Sequence, residues 1–379
     1  MRLQLSSSKI LLCLLVLLFN SLANGEALKP SFKVCWSHYA GWMAWDYAKQ
    51  EQIIDKWANQ YGIAISIEKA PDSRNAVEQY RAGKFDACAM TNIDALSIAA
   101  ATGIDTTALI IGDFSAGADG ILMRGIGKGL RDLKGTSILL ADNAASRYLL
   151  DRALEMAHYS PSEVNIQYVA EQDLIQAFSN GQGDAVISRN PALAEIKQHL
   201  EVSQVFSSKF IPGEIIDLMV VNSKILAAHP ELGKALTGAW YEVQHLLGSR
   251  SPEGKLARAK MANSASTSAT DFDLQLKTIR SFYMARSALA FANSEKMPEL
   301  MQRVANFVDG QRRATSPDNI LSQLGISFSE RRVLGNPQQI MLRFDPTYMQ
   351  WVADSQGAKK SLVSLNQYIN QAVLGSSRN

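Results

Sequence analysis

The chain has 379 residues, with 38 Lys and Arg against 36 Asp and Glu, a formal net charge of +2 and 47% hydrophobic residues. A charge near zero with no basic stripe argues against a nucleic-acid partner. The length suggests two domains.

In chain order, Arg2 and Lys9 precede a short apolar run, Ile10 to Phe19, and then the small residues of "SLANG". This is the pattern of a secretory signal peptide over residues 1–25, cleaved near Ala23 or Gly25. Cys13 lies in the apolar run behind Ile10, Leu11 and Leu12, with no small residue directly ahead, which argues against a lipoprotein. No second long apolar stretch follows, so the mature chain is read as periplasmic and not membrane-spanning. Two cysteines remain, Cys35 and Cys88. Export permits a disulfide between them. Both sit in predicted strands, and packing there as small apolar side chains is the alternative.

"FKVCWS" reads as a strand, and "MAWDYAKQEQIIDKWANQYG" as one amphipathic helix ending at Gly62. Strands at "IAISIEK", "FDACAMT", "TTALIIGD", "DGILM", "SILLAD", "NIQYVA" and "DAVIS" alternate with helices at "SRNAVEQYRAG", from Asn92, at "AASRYLLDRALEMA" and at "QDLIQAFSN". Such alternation predicts an α/β fold with mainly parallel sheets. From Ser223 to Val308 the pattern turns mostly helical, Thr315 to Pro337 is polar and irregular, and a last amphipathic stretch runs from Lys360 to Val373.

Two features bear on function. Cys35 to Tyr47 holds Trp36, Trp42 and Trp45, half of the six tryptophans, with Tyr39 and Tyr47. Gly41 permits a close turn there. Trp45 has helical spacing from Trp42 and suits core packing equally. His38 either contacts a ligand or faces solvent. The second feature is an internal echo: Gly83, Asp86, Ala87 and Asn92 recur 98 residues later as Gly181, Asp184, Ala185 and Asn190. One reading is the common turn chemistry of any two αβα units. The other is a pair of similar lobes, each aiming a strand end and a helix start at a shared cleft.

No enzyme constellation appears. "GDFSAG" lacks a glycine two positions before Ser115, and "GIGKGL" lacks the spacing of a phosphate loop. The five histidines form no close pair, so neither a metal nor a cofactor is expected.

The segments "KVCWSHYAGWMAWDYA", "GKFDACAMTNIDAL", "DTTALIIGDFSAGADGILM", "LADNAASRYLLDRALE" and "FIPGEIIDLMVVN" resemble periplasmic substrate-binding proteins of urea-carboxylase-associated ABC transporters. Those are similar in turn to the nitrate, taurine, aliphatic-sulfonate and thiamine-pyrimidine binding proteins. The resemblance implies a type II periplasmic binding fold with a helical C-terminal extension. Lobe one would be 26–118 plus 222–379 and lobe two 119–221, with hinge crossings near Ser115–Gly120 and Leu218–Asn222. It implies a monomeric, non-enzymatic binder of a small-molecule solute, served by a membrane permease and a cytoplasmic ATPase.

A pocket for urea or guanidinium needs carboxylates or carbonyls in the ligand plane and aromatic faces beside it. From Phe85 to Met123 there is no Lys or Arg, but there are Asp86, Asp94, Asp105, Asp113 and Asp119. An acidic cleft favours a cation or a donor-rich amide over an anion. The candidate ligand residues are Trp36, Tyr39, Trp42, Asn92, Asp94 and Asp113 from lobe one. Asp119, Asn143, Ser146, Asn190, Glu214 and Asp217 join them from lobe two and the hinge crossings. Asp94 equally suits a helix start, and Glu214 equally suits a bridge to Arg189. Arg147 and Arg189 depart from the "SVSHYLL" and "WNP" common in the resembled family. An arginine in the cleft would repel a cation and could hold a ligand carboxylate instead. Other readings are a different small solute, such as an amine, nitrile or amino-acid-like compound, a periplasmic sensor subunit, and an enzyme.

Overall fold

A computed structural model describes residues 29–312 and 319–355. The expected signal peptide and the stretch from Lys360 to Val373 lie outside the described residues. Two sheets organise the chain. The first contains β1 (Ser31–Trp36), β2 (Ala64–Lys69), β3 (Ala87–Thr91) and β4 (Thr106–Ser115). The second contains β5 (Asp119–Arg124), β6 (Ser137–Leu140), β7 (Asn165–Tyr168), β8 (Ala185–Arg189) and β9 (Val202–Ser207). The chain then returns to the first sheet with β10 (Ile216–Asn222), β11 (Ile279–Ser281), β12 (Gly325–Ser327), β13 (Val333–Gly335) and β14 (Ile340–Phe344). The first sheet runs β13-β12-β14-β4-β10-β3-β1-β2 with β11 beside β4, and the second runs β7-β6-β8-β5-β9.

Both sheets are mixed, not mainly parallel. β10 runs antiparallel between β3 and β4, and β5 runs antiparallel between β8 and β9. These are the strands that follow a passage between sheets, and each lies beside the strand that leads the chain out of its sheet, β10 beside β4 and β5 beside β9, in the opposite direction. The first passage is 116–118, within the expected Ser115–Gly120. The second spans 208–215, upstream of the expected Leu218–Asn222, which lies inside β10. Serines stitch the passages together. Ser115 and Ser208 hydroxyls are 2.7 Å apart, and the Gly117 amide donates to Ser208 Oγ at 2.7 Å. Gly117 has φ +121°, with Lys209 carbons 3.3 Å from where a Cβ would lie, so only glycine fits.

Local sequence explains most elements. β3 is buried throughout, as a central strand covered on both faces should be. The predicted helix over 43–62 is two helices, Met43–Gln50 and Ile53–Gln60, because Gln52 takes a left-handed φ of 56°. The segment expected to be irregular after Thr315 instead supplies β12 and β13 at the sheet edge. Trp45 stacks on Trp240 at 4.8 Å in the core. Cys35 and Cys88 face each other across β1 and β3 and form a disulfide, closing a separation of 53 residues.

The echo has a structural meaning. Asp86 accepts from the Lys33 amide at 2.7 Å, and Asp184 from the Ser137 amide at 2.8 Å. Each aspartate clamps the start of the parallel strand beside its own. Gly83 and Gly181 both take positive φ before that strand. Neither asparagine caps a helix with its side chain. Asn92 binds the second passage, donating to the Glu214 carbonyl at 3.0 Å and accepting from the Ile216 amide at 2.9 Å. Asn190 binds the first, its amide donating to the Ala118 carbonyl at 2.9 Å.

Candidate functional site

The carboxyl ends of β1, β3 and β4 and the start of β10 converge at one edge of the first sheet, facing the end of β8 and the start of β5 in the second. Strand ends of this kind form the ligand crevice of open α/β sheets. β10 opposes Asp217 to Asp113, and β5 opposes Asp119 to Arg189. Register thus makes one pair in each sheet, and the docking of the two sheets brings Arg189 to Asp217.

The Arg189 guanidinium lies over the Tyr39 ring at 3.7 Å from its centroid and 5.3 Å from that of Trp42. Its Nε is 3.6 Å from Asp119 Oδ1, and one terminal nitrogen is 3.6 Å from Asp217 Oδ1. Asp113 and Asp217 are each 1% exposed, Asp119 4% and Tyr39 0%. Arg189 Nε and Nη2 and Asp119 Oδ2 make no hydrogen bond within the protein, while Asp217 is close enough to Asp113 and Tyr39 for side-chain hydrogen bonding with both. Gly41 is needed for a different reason from the expected turn. A Cβ there would lie 2.7 Å from Asp113 Oδ2 and 2.8 Å from the Tyr39 ring.

Burial dominates the electrostatics. It pushes the Asp113 carboxyl well above the usual carboxylate range, and the neighbouring Asp217 charge adds to the effect. Burial also raises Asp217, while Arg189 pulls the other way. Tyr39 is raised by burial and then by the Asp217 and Asp113 charges, so its hydroxyl stays protonated. Burial alone would lower Arg189, but Asp119 and Asp217 outweigh it and keep the guanidinium charged.

A cavity of about 250 Å³ opens on the other side of Arg189, with His38, Asp72, Asn143, Ser146, Glu171 and Glu195 in its wall. Tyr39, Trp42, Asp113, Asp119 and Asp217 do not line it, so Arg189 stands between the cavity and the aromatic–carboxylate cage. Asn143 caps the helix Ala144–Ala157, accepting from the Ser146 amide at 2.9 Å. At the rim, Ser73 donates to Glu171 at 3.1 Å and Arg74 pairs with Asp142, joining the lobes. Burial and then the Lys69 charge lower the His38 pKa, favouring a neutral imidazole.

The other sequence candidates separate from this site. Trp36 is buried with Lys69 Nζ over its ring at 5.7 Å and does not line the cavity. Asn92 is spent on the second passage, as described. Asp94 forms a capping box with Thr91, whose hydroxyl donates to it at 2.7 Å. Glu214 pairs with Arg152, not Arg189: Arg152 Nε donates to it at 2.8 Å and the Tyr148 hydroxyl at 2.6 Å. Asn190 reaches the cavity wall, but its side-chain amide donates to Thr278 at 2.9 Å. Arg147 approaches Asp142 at 3.6 Å and stays at the margin. Asp72, Glu171 and Glu195 were not anticipated. Glu171 and Glu195 stand at ordinary helix starts, where an acidic residue carries no ligand signal.

Among the described residues, no grouping of His, Cys, Asp and Glu could hold a metal ion. No helix among them is long and apolar enough to cross a membrane.

Residues 57–242 match the family model described as NMT1/THI5 like. No curated protein matches the chain. Among solved structures, the alkanesulfonate-binding protein SsuA from Xanthomonas axonopodis pv. citri, bound to MOPS, is similar with a TM-score of 0.63 at 16% identity, covering 78% of this chain and 97% of its own. The periplasmic aliphatic sulphonate binding protein SsuA from Escherichia coli also has a TM-score of 0.63, at 18% identity, covering 77% and 96%. A Candida albicans gene product described as exhibiting the generic periplasmic binding protein structural fold has a TM-score of 0.56 at 12% identity, covering 77% and 93%. The chain has the α/β periplasmic binding protein fold.

Proposed function

We propose that this protein is the periplasmic solute-binding component of an ABC importer and takes a small, neutral, nitrogen-rich planar solute of the urea or amide class. The fold and its likeness to alkanesulfonate-binding proteins support the coarser part of that reading. The observation that carries the finer part is the state of Arg189, the principal cation of the cavity wall. It already faces Asp119 and Asp217. A sulfonate would meet an arginine that is neutralised, together with Asp72, Glu171 and Glu195 in the same wall. Free guanidinium would meet a like charge. A urea-type amide has a carbonyl to accept from Arg189 or Ser146 and N–H groups to donate to the carboxylates. The cavity of about 250 Å³ suits a small solute.

Solute bridging the two walls would favour the closed arrangement, which a permease, served by its cytoplasmic ATPase, reads in place of the open one. A thermal-shift panel of urea, acetamide, guanidinium, taurine and amino acids tests the reading, since a ligand of the native state raises the melting temperature by mass action. A saturable shift confined to urea or amides is expected. A shift with taurine and none with amides would reject the ligand class.

A further inference from the structure

We propose that Arg189 is a tethered occupant of a guanidinium site: the cage of Tyr39, Trp42, Asp113, Asp119 and Asp217 recognises a guanidinium group, and the second lobe supplies that group from its own chain. The inference deepens the reading above, because it makes Arg189 the residue that keeps free guanidinium compounds out of the cleft. The cage has the parts that recognise a planar cation. Tyr39 offers a ring face at 3.7 Å, Trp42 a second ring at 5.3 Å, and two carboxylates stand 3.6 Å from different nitrogens of the same fork. A third carboxylate, Asp113, stands opposite Asp217 in the strand register.

Two further observations favour a site over a structural bridge. Arg189 Nε and Nη2 are buried but make no hydrogen bond to the protein. The fork is therefore held by charge and stacking, without the short bidentate bonds of a fixed bridge. The arrangement also crosses the lobes: Arg189 ends β8 and Asp119 begins β5 of the second sheet, while Asp113 and Asp217 lie in the first sheet and Tyr39 and Trp42 follow its strand β1. Separating the lobes would withdraw the guanidinium from Tyr39, Trp42, Asp113 and Asp217, with Asp119 alone moving with it. Arg189 thus acts as a specificity-determining clasp, occupying what would otherwise be a cation site.

The test is rescue by a free guanidinium. Arg189→Ala and wild type are compared by thermal unfolding with methylguanidinium up to about 50 mM, far below the molar range in which guanidinium salts denature, against methylammonium at equal ionic strength. The variant is expected to melt lower and to recover roughly 5 °C at a hundredfold excess of methylguanidinium over its Kd. Methylammonium should not restore it, and wild type should respond to neither. An unresponsive variant, or a wild type stabilised as much as the variant, overturns the proposal. If Arg189→Ala does not fold, Arg189→Lys keeps a charge without the planar fork, and the same rescue is required of it. The outcome is separable from the functional reading. Rescue in a protein that binds no amide leaves the clasp standing and removes the ligand class, and the converse result does the reverse.

Discussion

Glu214 ties the second inter-sheet passage to the helix Ala144–Ala157, and replacing it with alanine should loosen that tie measurably. Glu214 is 7% exposed and accepts from the fully buried Tyr148 hydroxyl at 2.6 Å and from Arg152 Nε at 2.8 Å. Removing the carboxylate strands the tyrosine donor, which costs about 1–3 kcal/mol. It also removes one partner of a buried ion pair, which costs about 3–5 kcal/mol when no other partner remains. Arg152 keeps Glu155, so the ion-pair part falls below that range. The two effects share one network and do not add fully. A total loss of about 3–4 kcal/mol follows, or roughly 6–8 °C in melting temperature. Calorimetric unfolding is the suitable assay, because urea belongs to the proposed ligand class and guanidinium would compete with Arg189 for its cage. A double-mutant cycle with Tyr148→Phe should show coupling of about 1–2 kcal/mol. A loss under about 1 kcal/mol, or strict additivity with Tyr148→Phe, would refute the reasoning.

Other outcomes follow from the same geometry. The Cys35–Cys88 bridge closes a 53-residue separation, so replacing both cysteines should cost about 4 kcal/mol. Both are fully buried, so thiol titration should find the bridge inert to mild reductant until the protein is heated. Asp113 has its folded pKa raised by burial and by Asp217. Its contribution is therefore present below the unfolded value of about 3.9 and is lost as pH rises through the folded value. Asp113→Asn should flatten this part of the stability profile, so that its melting temperature gains on wild type as pH rises above the unfolded value of about 3.9. A parallel pair of profiles would count against the shift. Gly41→Ala would press on Asp113 and Tyr39, costing about 1–3 kcal/mol in melting experiments and weakening any solute bound beside Arg189.

Much of the fold was legible because its signals are local. Short apolar runs bounded by Gly83, Gly103 and Gly181 mark strand and helix limits, and Asp86 and Asp184 repeat because each clamps a neighbouring strand in the same way. The break at Gln52 was hidden because the apolar pattern continues across it. β12 and β13 are three residues each, too short for a period to register. The site was legible only in part. Tyr39, Trp42, Asp113, Asp119 and Asp217 do gather, since the three aspartates lie at or near a strand terminus and Tyr39 and Trp42 on the segment that follows β1. What joins them, Arg189, depends on the pairing of β8 with β5 and on how the lobes dock. The partnership of Glu214 with Arg152 spans 62 residues and leaves no local pattern. Asn92 stands beside a strand end like a ligand group, and only the fold shows that its amide is used by the second passage.

The ligand class is tested most directly by a calorimetric titration of the purified protein with urea and acetamide, run beside taurine at the same pH and ionic strength. Saturable heat is expected with at least one neutral amide and none with taurine. Saturable binding of taurine with no response to either amide would contradict that ligand class, because Arg189 would then be a cation available to anions and not one already held by Asp119 and Asp217.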